Sequence, residues 1–438
     1  MNSAGADIML PAATRPVTAS VRTSALFAYG LLGMPLAMAA LPLYVHLPKY
    51  YADHLGVPLA TLGIVLLLLR LTDGVLDPLL GAWSDRATSH KRLIALAVPL
   101  LALGMVGLFA VPFHGHAARV AWLGACLLLV YVAFSLATIN HAAWGAELSS
   151  DPNERTRVTA VREGLALCGV VVASLAPVLL GGDDGEAAGL QRFSYVFALW
   201  LVLCAAVTLL IAPAATRAPV PQRSVFAGMI APLADPVFRR LLAVFMANGI
   251  ASAIPATLVL FYIADVLQAE AQQGLFLALY FIAGAAGMPL WVKVSARAGK
   301  VRTWRAAMAV AILAFVWAAL LGAGDTAAFA AVCALSGLAL GADLALPPSL
   351  LADVIGRDGP MRATGAYFGL WTLATKLNLA LAAGIALPLL GALGYAPGTR
   401  EAGAIHALAI VYAGVPCALK LGAAVALRSF ERHGKRGS

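Results

Sequence analysis

Twelve long apolar runs, separated by short gaps that hold nearly all the charge, constrain this chain more than any other feature. They lie near residues 23–47, 58–82, 93–113, 118–142, 158–181, 191–213, 240–265, 273–293, 303–323, 326–348, 363–390 and 402–427. About 20 apolar residues suffice for a helix to cross a hydrocarbon core. The expected fold is therefore all-α and membrane-embedded, with twelve transmembrane helices. Composition agrees, since 12% of the 438 residues are charged, against roughly 25% in a soluble domain. The first run is too long for a signal-peptide core and follows a loose leader with Pro, Ser and Thr, so it reads as a spanning helix.

Lys and Arg in the short loops set orientation. With the N-terminus in the cytoplasm, twenty-two of the thirty basic residues fall on the cytoplasmic side, among them Arg86, Arg155, Arg217, Arg223, Arg297 and Lys300. Lys49, Arg119, Arg192 and Arg400 fall outside, and Arg70, Arg162, Lys376 and Lys420 lie within spans. Both termini are thus expected on the cytoplasmic side, and the membrane expected is a bacterial inner membrane. The net charge of +9 is explained by this basic face and implies no nucleic acid. The longest cytoplasmic gap divides the chain into a tail over 1–22, a six-helix bundle over 23–213, a loop over 214–239, a second bundle over 240–427 and a tail over 428–438. The loop after span 2, Gly81 through Asp85-Arg86 to Lys91-Arg92, is echoed after span 8 by Lys293, Arg297, Lys300 and Arg302. Two pseudo-symmetric halves with matching basic loops are a mark of parallel repeats around a midplane substrate site.

Span 2 carries Arg70, Asp73 and Asp77, whose spacings of three and four put them on one helical stripe. Each such charge costs on the order of 2.5–3.5 kcal/mol at the centre of a span, so the stripe is expected to face a cavity. Two carboxylates one turn apart repel each other, and a proton on one or a cation between them relieves this. The alternative is a structural Arg70–Asp73 pair, which leaves Asp77 unexplained. Further cavity candidates are Asn140, Trp144 and Glu147 on one stripe of span 4, and Arg162 in span 5 with Glu163 as its local partner. Asn248, Asp343, Tyr367, Trp371, Lys376 and Asn378 complete them. Trp144 and Trp371 could stack on a ring or an acyl chain, or could simply pack. Lys376 lies too deep to reach the interface easily, and Asp343 is open as its partner. Lys420, His46, His54, His114 and His116 read as rim residues.

No enzyme is visible in the sequence. No Gly-rich phosphate loop ends in Lys-Ser/Thr, and neither a nucleophile–base pair nor a large soluble domain stands out. His114-Gly-His116 has no further ligands nearby, so no metal is expected. Cys126, Cys168, Cys204, Cys333 and Cys417 all fall inside spans and read as small packing residues. An intramembrane enzyme or receptor-like scaffold is thereby the remote alternative to a transporter, and no cofactor is expected beyond a coupling ion.

The loop Gly81-x-x-x-Asp85-Arg86 resembles the latch motif of the major facilitator superfamily. The resemblance implies gating by Gly81, Asp85 and Arg86, with Arg297 in the second half. The run Arg70-x-x-Asp73-x-x-x-Asp77-Pro78-x-x-Gly81 resembles the span-2 pattern of its glycoside–pentoside–hexuronide:cation symporters, the melibiose-permease type. Similar likeness extends to His141 through Glu147, Asn153 through Arg157, Pro347 through Asp353 and Gly365 through Lys376. The family's roles then imply cation coupling at Asp73 and Asp77. They imply substrate contact at Arg70, Asn140, Trp144, Arg162, Tyr367, Trp371 and Lys376. The family's sugar-binding acids fall on Ala37 and Asn140, and two polar positions on its cation side fall on Leu76 and Ala137. A galactoside site is thereby weakened. Na⁺ loses oxygen ligands it needs, which favours H⁺ while leaving Na⁺ open. The expectation is a monomeric symporter of a small glycoside-like or other polar solute in the major facilitator fold, with a lysolipid carrier as the alternative.

Overall fold

The computed structural model describes residues 21–40, 42–215, 225–357, 363–396 and 398–434. Residues 1–20, 216–224 and 435–438, with Arg217 and Arg223, lie outside the described residues, and so does most of what the sequence assigns to the N-terminal tail. Every regular element among the described residues is helical.

Among the described residues, ten helices are long and apolar enough to cross a membrane. They are α3 (His90–Phe109), α4 (His116–Glu147), α5 (Pro152–Gly181), α6 (Gly185–Ile211), α7 (Pro236–Phe261), α8 (Gln273–Ala298), α9 (Lys300–Ala318), α10 (Thr326–Ile355), α11 (Thr364–Ala392) and α12 (Ala402–Arg428). Before them come α1 (Thr23–Met38) and α2 (Leu59–Ser84). The 26 residues of α2 span about 39 Å at 1.5 Å per residue, enough to cross despite the three charges it carries.

The first span departs from expectation. The apolar run predicts one continuous helix over 23–47, yet α1 is interrupted near Leu31-Leu32 and ends at Met38. Wider turns follow over Pro42–His46 and Tyr50–His54. Pro42 and Pro48 lack the N–H that would continue an α-helical ladder, which favours such local widening.

The packing repeats with a displacement of six helices. α1 lies on α5, α2 on α4, and α3 on α4 and α6; correspondingly α7 lies on α11, α8 on α10, and α9 on α10 and α12. The two halves meet along two seams, α2 with α11, and α5 with α8 and α10. Leu179, Leu210 and Leu320 are more than three-quarters exposed on the outside, a surface that lipid rather than water must cover.

Small residues let the first seam close. A Cβ on Gly81 would stand 2.2 Å from the Gly365 carbonyl oxygen, and one on Gly369 would stand 2.7 Å from that of Asp77. Close backbone approach through glycine is how apolar helices gain packing energy where no hydrophobic effect drives association. It brings Lys376 on α11 against the acids of α2.

Candidate functional site

The site begins with the chemistry of α2. Asp73 and Asp77 are buried, at 2% and 0% exposure, one turn apart near the middle of the helix. Pro78 has no N–H, so the carbonyl of Gly74 lacks its intrahelical donor beside them. Two ionised carboxylates in so dry a place need a partner, and Lys376 supplies it. Its Nζ lies 2.6 Å from Asp73 Oδ2 and 2.9 Å from Asp77 Oδ1. Ser135 of α4 closes the group: Lys376 donates to its Oγ at 3.2 Å, and its hydroxyl donates to Asp73 Oδ1 at 3.3 Å.

The charge does not balance. Counted over Asp73, Asp77 and Lys376 alone, two carboxylates face one ammonium, a net charge of minus one when all are ionised. Asp77 Oδ2 is 2.8 Å from Nζ but accepts no hydrogen bond, although it is buried. The ammonium compensates the charge on that oxygen, but no aligned donor fills its lone pairs. The arrangement therefore has room, electrically and by hydrogen bonding, for one proton or one monovalent cation.

The other expected substrate residues do not converge on this point. Arg70 is exposed, unlike the two acids on its stripe. Arg162 bonds Glu163 at 2.5 Å and 3.0 Å, the local pairing expected. Trp144 is buried edge-on to Tyr29, and its indole donates to the Pro213 carbonyl at 3.1 Å. Trp371 stacks on Phe245 with centroids 3.8 Å apart, and Tyr367 meets Phe238 edge-on. Asn140 accepts from Ser84 at 2.5 Å and lies 2.8 Å from His90 Nδ1.

Asn140 belongs to a set of ties at the basic end of the bundle. His90 Nε2 lies 3.1 Å from Glu147 Oε1, which accepts from Thr364 of α11 at 2.6 Å. Asp85 accepts the backbone N–H groups of Gly365 and Ala366 at 2.8 Å and 2.9 Å. These are orphan donors at the start of α11, where the helix dipole also favours a carboxylate. Across the second seam, Asp353 of α10 accepts from Arg155 of α5 at 3.0 Å and from Lys300 of α9 at 2.5 Å. Arg86 and Arg297 are exposed at the same end. Lys300, three residues beyond Arg297, is buried together with Arg155.

Two readings need correction. Lys420 reads as a rim residue in the sequence, but it is 3% exposed and pairs with Asp343 at 2.9 Å. Helix α12 begins at Ala402 and its last segment runs on to Gly434, so Lys420 sits mid-helix, away from either end. Asp343 is therefore the partner of Lys420, while Lys376 is engaged by the α2 acids. Cys168 also departs from expectation, being exposed where Cys126, Cys204 and Cys333 are buried.

Ser135, His90, Thr364 and Lys300 took no part in the sequence-based site. A lone serine in an apolar helix can satisfy itself on its own backbone, so it carries little signal. The others flank loops, where polar residues are commonplace.

The sequence pattern of the MFS/sugar transport protein family matches residues 26–431. Among curated proteins, the chain is 25% identical over 166 residues to an inner membrane symporter of Escherichia coli, covering 35% of this chain and 36% of that one. It is 24% identical over 203 residues to a putative sulfoquinovose importer of the same organism, covering 43% of each. The matched stretches thus span well under half the length of these relatives. Among solved structures, a bacterial homologue of the iron transporter ferroportin in an outward-facing state superposes with a TM-score of 0.71. It does so at 16% identity, covering 94% of this chain and 100% of that one.

Proposed function

The chain belongs to the MFS/sugar transport protein family, and from that premise we propose that it is a symporter coupling H⁺ entry to uptake of a small polar organic solute by alternating access. That it is an integral membrane transporter rather than an enzyme follows from the family and the fold. The finer reading rests on one observation, the unbalanced group of Asp73, Asp77 and Lys376 with its unsatisfied Asp77 Oδ2.

The physics of coupling follows from that imbalance. Empty, the group holds a net charge that is costly to bury. A proton on Asp77 cancels it, leaving an Asp73–Lys376 ion pair. The loaded group is neutral, so the seam between α2 and α11 can close around it and reopen on the other side. Na⁺ could cancel the same charge, but Leu76 and Ala137 supply no oxygen to complete its shell. In this reading the basic end is cytoplasmic, with both termini there. Gly81, Asp85, Arg86 and Arg297 belong to the gate at that end, reinforced by Arg155, Lys300 and Asp353. The ties at that end are closed here, which favours an outward-facing conformation. The solute is taken to sit between the halves, reached by Arg70, Asn140, Trp144, Arg162, Tyr367, Trp371 and Lys376 as the gates move. The location is the bacterial inner membrane and the working unit a monomer.

A thermal-stability screen of the protein in nanodiscs tests this, with sugars, sugar acids and organic acids as probes at pH 5.5 and pH 8, with and without Na⁺. The expected result is a polar solute whose stabilisation grows at the lower pH and ignores Na⁺. Stabilisation that requires Na⁺ at either pH would overturn the proton reading.

A further inference from the structure

A second charged group lies at mid-depth in the C-terminal half, away from the seam that holds Lys376. Asp343 of α10 and Lys420 of α12 pair at 2.9 Å. Lys420 also donates to Asn248 Oδ1 at 2.8 Å and to Ser252 Oγ at 3.0 Å. Asp343 Oδ1 accepts from Trp304 at 2.8 Å and from Asn248 at 3.1 Å. The pair is neutral overall and held on all sides by α7, α9, α10 and α12. Stability alone gives little reason to keep it, since replacing a buried ion pair by apolar residues is often neutral or favourable. Charges kept within a membrane span are a mark of function.

The pair lines a cavity of about 540 Å³. Val259, Phe281, Phe315 and Leu340 are among its apolar walls. Among the described residues, none of its lining belongs to α1, α2, α4 or α11, so it is a chamber separate from the Asp73–Asp77–Lys376 group. Its opening follows from how α5 and α8 run. They touch where Gly164 meets Met288 and Leu167 meets Gly284. Beyond that point Val171 and Leu175 on one helix and Leu277 and Phe281 on the other line the chamber instead. Leu175 and Leu275 at this level are 56% and 65% exposed, which puts an apolar rim at the mouth.

We infer that this chamber is a binding site for a neutral amphiphile, with a hydroxyl head on Asp343 and an apolar body along the walls. The head is chosen by the one weak bond in the network. Asp343 Oδ2 accepts from Lys420 at 2.9 Å, but Ser252 reaches it only at 3.4 Å, beyond the usual hydroxyl range, so this oxygen of a chamber-lining residue retains capacity for a second donor. A ligand hydroxyl donates there. A carboxylate or ammonium head adds a charge to a pair that is already balanced, in a setting where an uncompensated ion is expensive. The body is chosen by the walls, which offer few hydrogen bonds; a pocket of this size, apolar with a few converging polar groups, suits a small organic ligand. The inference does not depend on what the α2 acids couple.

The test uses full-length protein in nanodiscs and three photoreactive twelve-carbon probes, each with a mid-chain diazirine and ending in a hydroxyl, a carboxylate or an ammonium group. Crosslinks are mapped by mass spectrometry and competed with dodecan-1-ol. The alcohol probe should label α8 and α10 near Phe281 and Leu340, saturably and with competition. Its half-saturation should lie about tenfold or more below those of the charged probes, as one hydrogen bond to a charged group implies. Ala256→Trp, at an exposed position lining the chamber, should abolish this labelling, and Val259→Phe is the milder filler if that variant does not fold. Equal labelling by all three heads, unsaturable labelling spread over lipid-facing Leu199 and Leu210, or labelling indifferent to the fillers would each overturn the site.

Discussion

Lys376 on α11 reaches across the seam between the two halves to Asp77 on α2, donating to Oδ1 at 2.9 Å. One ammonium thereby belongs to both halves of the molecule at once. Asp73, at 2.6 Å from the same nitrogen, competes for it. Whatever changes the charge of either acid changes the grip of one half on the other, which is the physical basis of the coupling proposed here.

Removing that ammonium exposes the imbalance. Lys376→Ala leaves two buried carboxylates facing each other, and breaking such a group typically costs roughly 3–5 kcal/mol. Protons can replace the missing charge. The variant should melt well below wild type at pH 8 and recover most of the difference at pH 5. A deficit of the same size at both pH values would show that the carboxylates are not the source of the loss.

The α2–α11 latch predicts a shift in conformation. Asp85→Ala orphans the N–H groups of Gly365 and Ala366, at about 1–3 kcal/mol for a buried donor. The closed basic end should lose population by about tenfold or more. Ser349→Cys, buried behind that end, should then react faster with an impermeant maleimide in inside-out vesicles. An unchanged rate would mean that Asp85 does not hold the gate.

The second lock should be cooperative. Asp353 serves both Arg155 and Lys300, so Asp353→Ala leaves two cations close together with neither compensated. Its effect on the same labelling rate should exceed that of Arg155→Ala, and the double variant should show non-additivity of about 0.5–3 kcal/mol. Additive effects would imply two independent surface pairs.

Orientation is open to direct labelling. In a background without native cysteines, Arg240→Cys and Asp184→Cys should react with impermeant reagent from opposite sides, Asp184→Cys alone from outside intact cells. Reaction of both from outside would invert the topology assigned from the basic loops.

The acids of the site were legible because a carboxylate in an apolar run stands out against its surroundings. Asp73 and Asp77 needed only their spacing. Lys376 stood out as well, yet its partners did not, since pairing between α2 and α11 depends on glycine contacts that no local pattern encodes. The pairing of Asp343 with Lys376 stays open in the sequence for the same reason. Lys420 reads as a rim residue because it lies towards the end of its apolar run over 402–427, and its partners Asn248, Ser252 and Asp343 sit on other helices. The stripe of Asn140, Trp144 and Glu147 is helical as read, but His90 draws two of its members to the basic end while Tyr29 takes the third. Helical periodicity gives a residue's direction on its own helix, and not what waits on the next.

The central claim is that Asp77 carries the coupling charge. Its most direct test is uptake of a solute from the stability screen into proteoliposomes, under an imposed pH gradient or an imposed Na⁺ gradient, for wild type and Asp77→Asn. The wild type should accumulate solute uphill on the pH gradient and ignore Na⁺. The variant should lose accumulation while still exchanging solute down its gradient. Undiminished accumulation by Asp77→Asn, or wild-type uptake that strictly requires Na⁺, would contradict it.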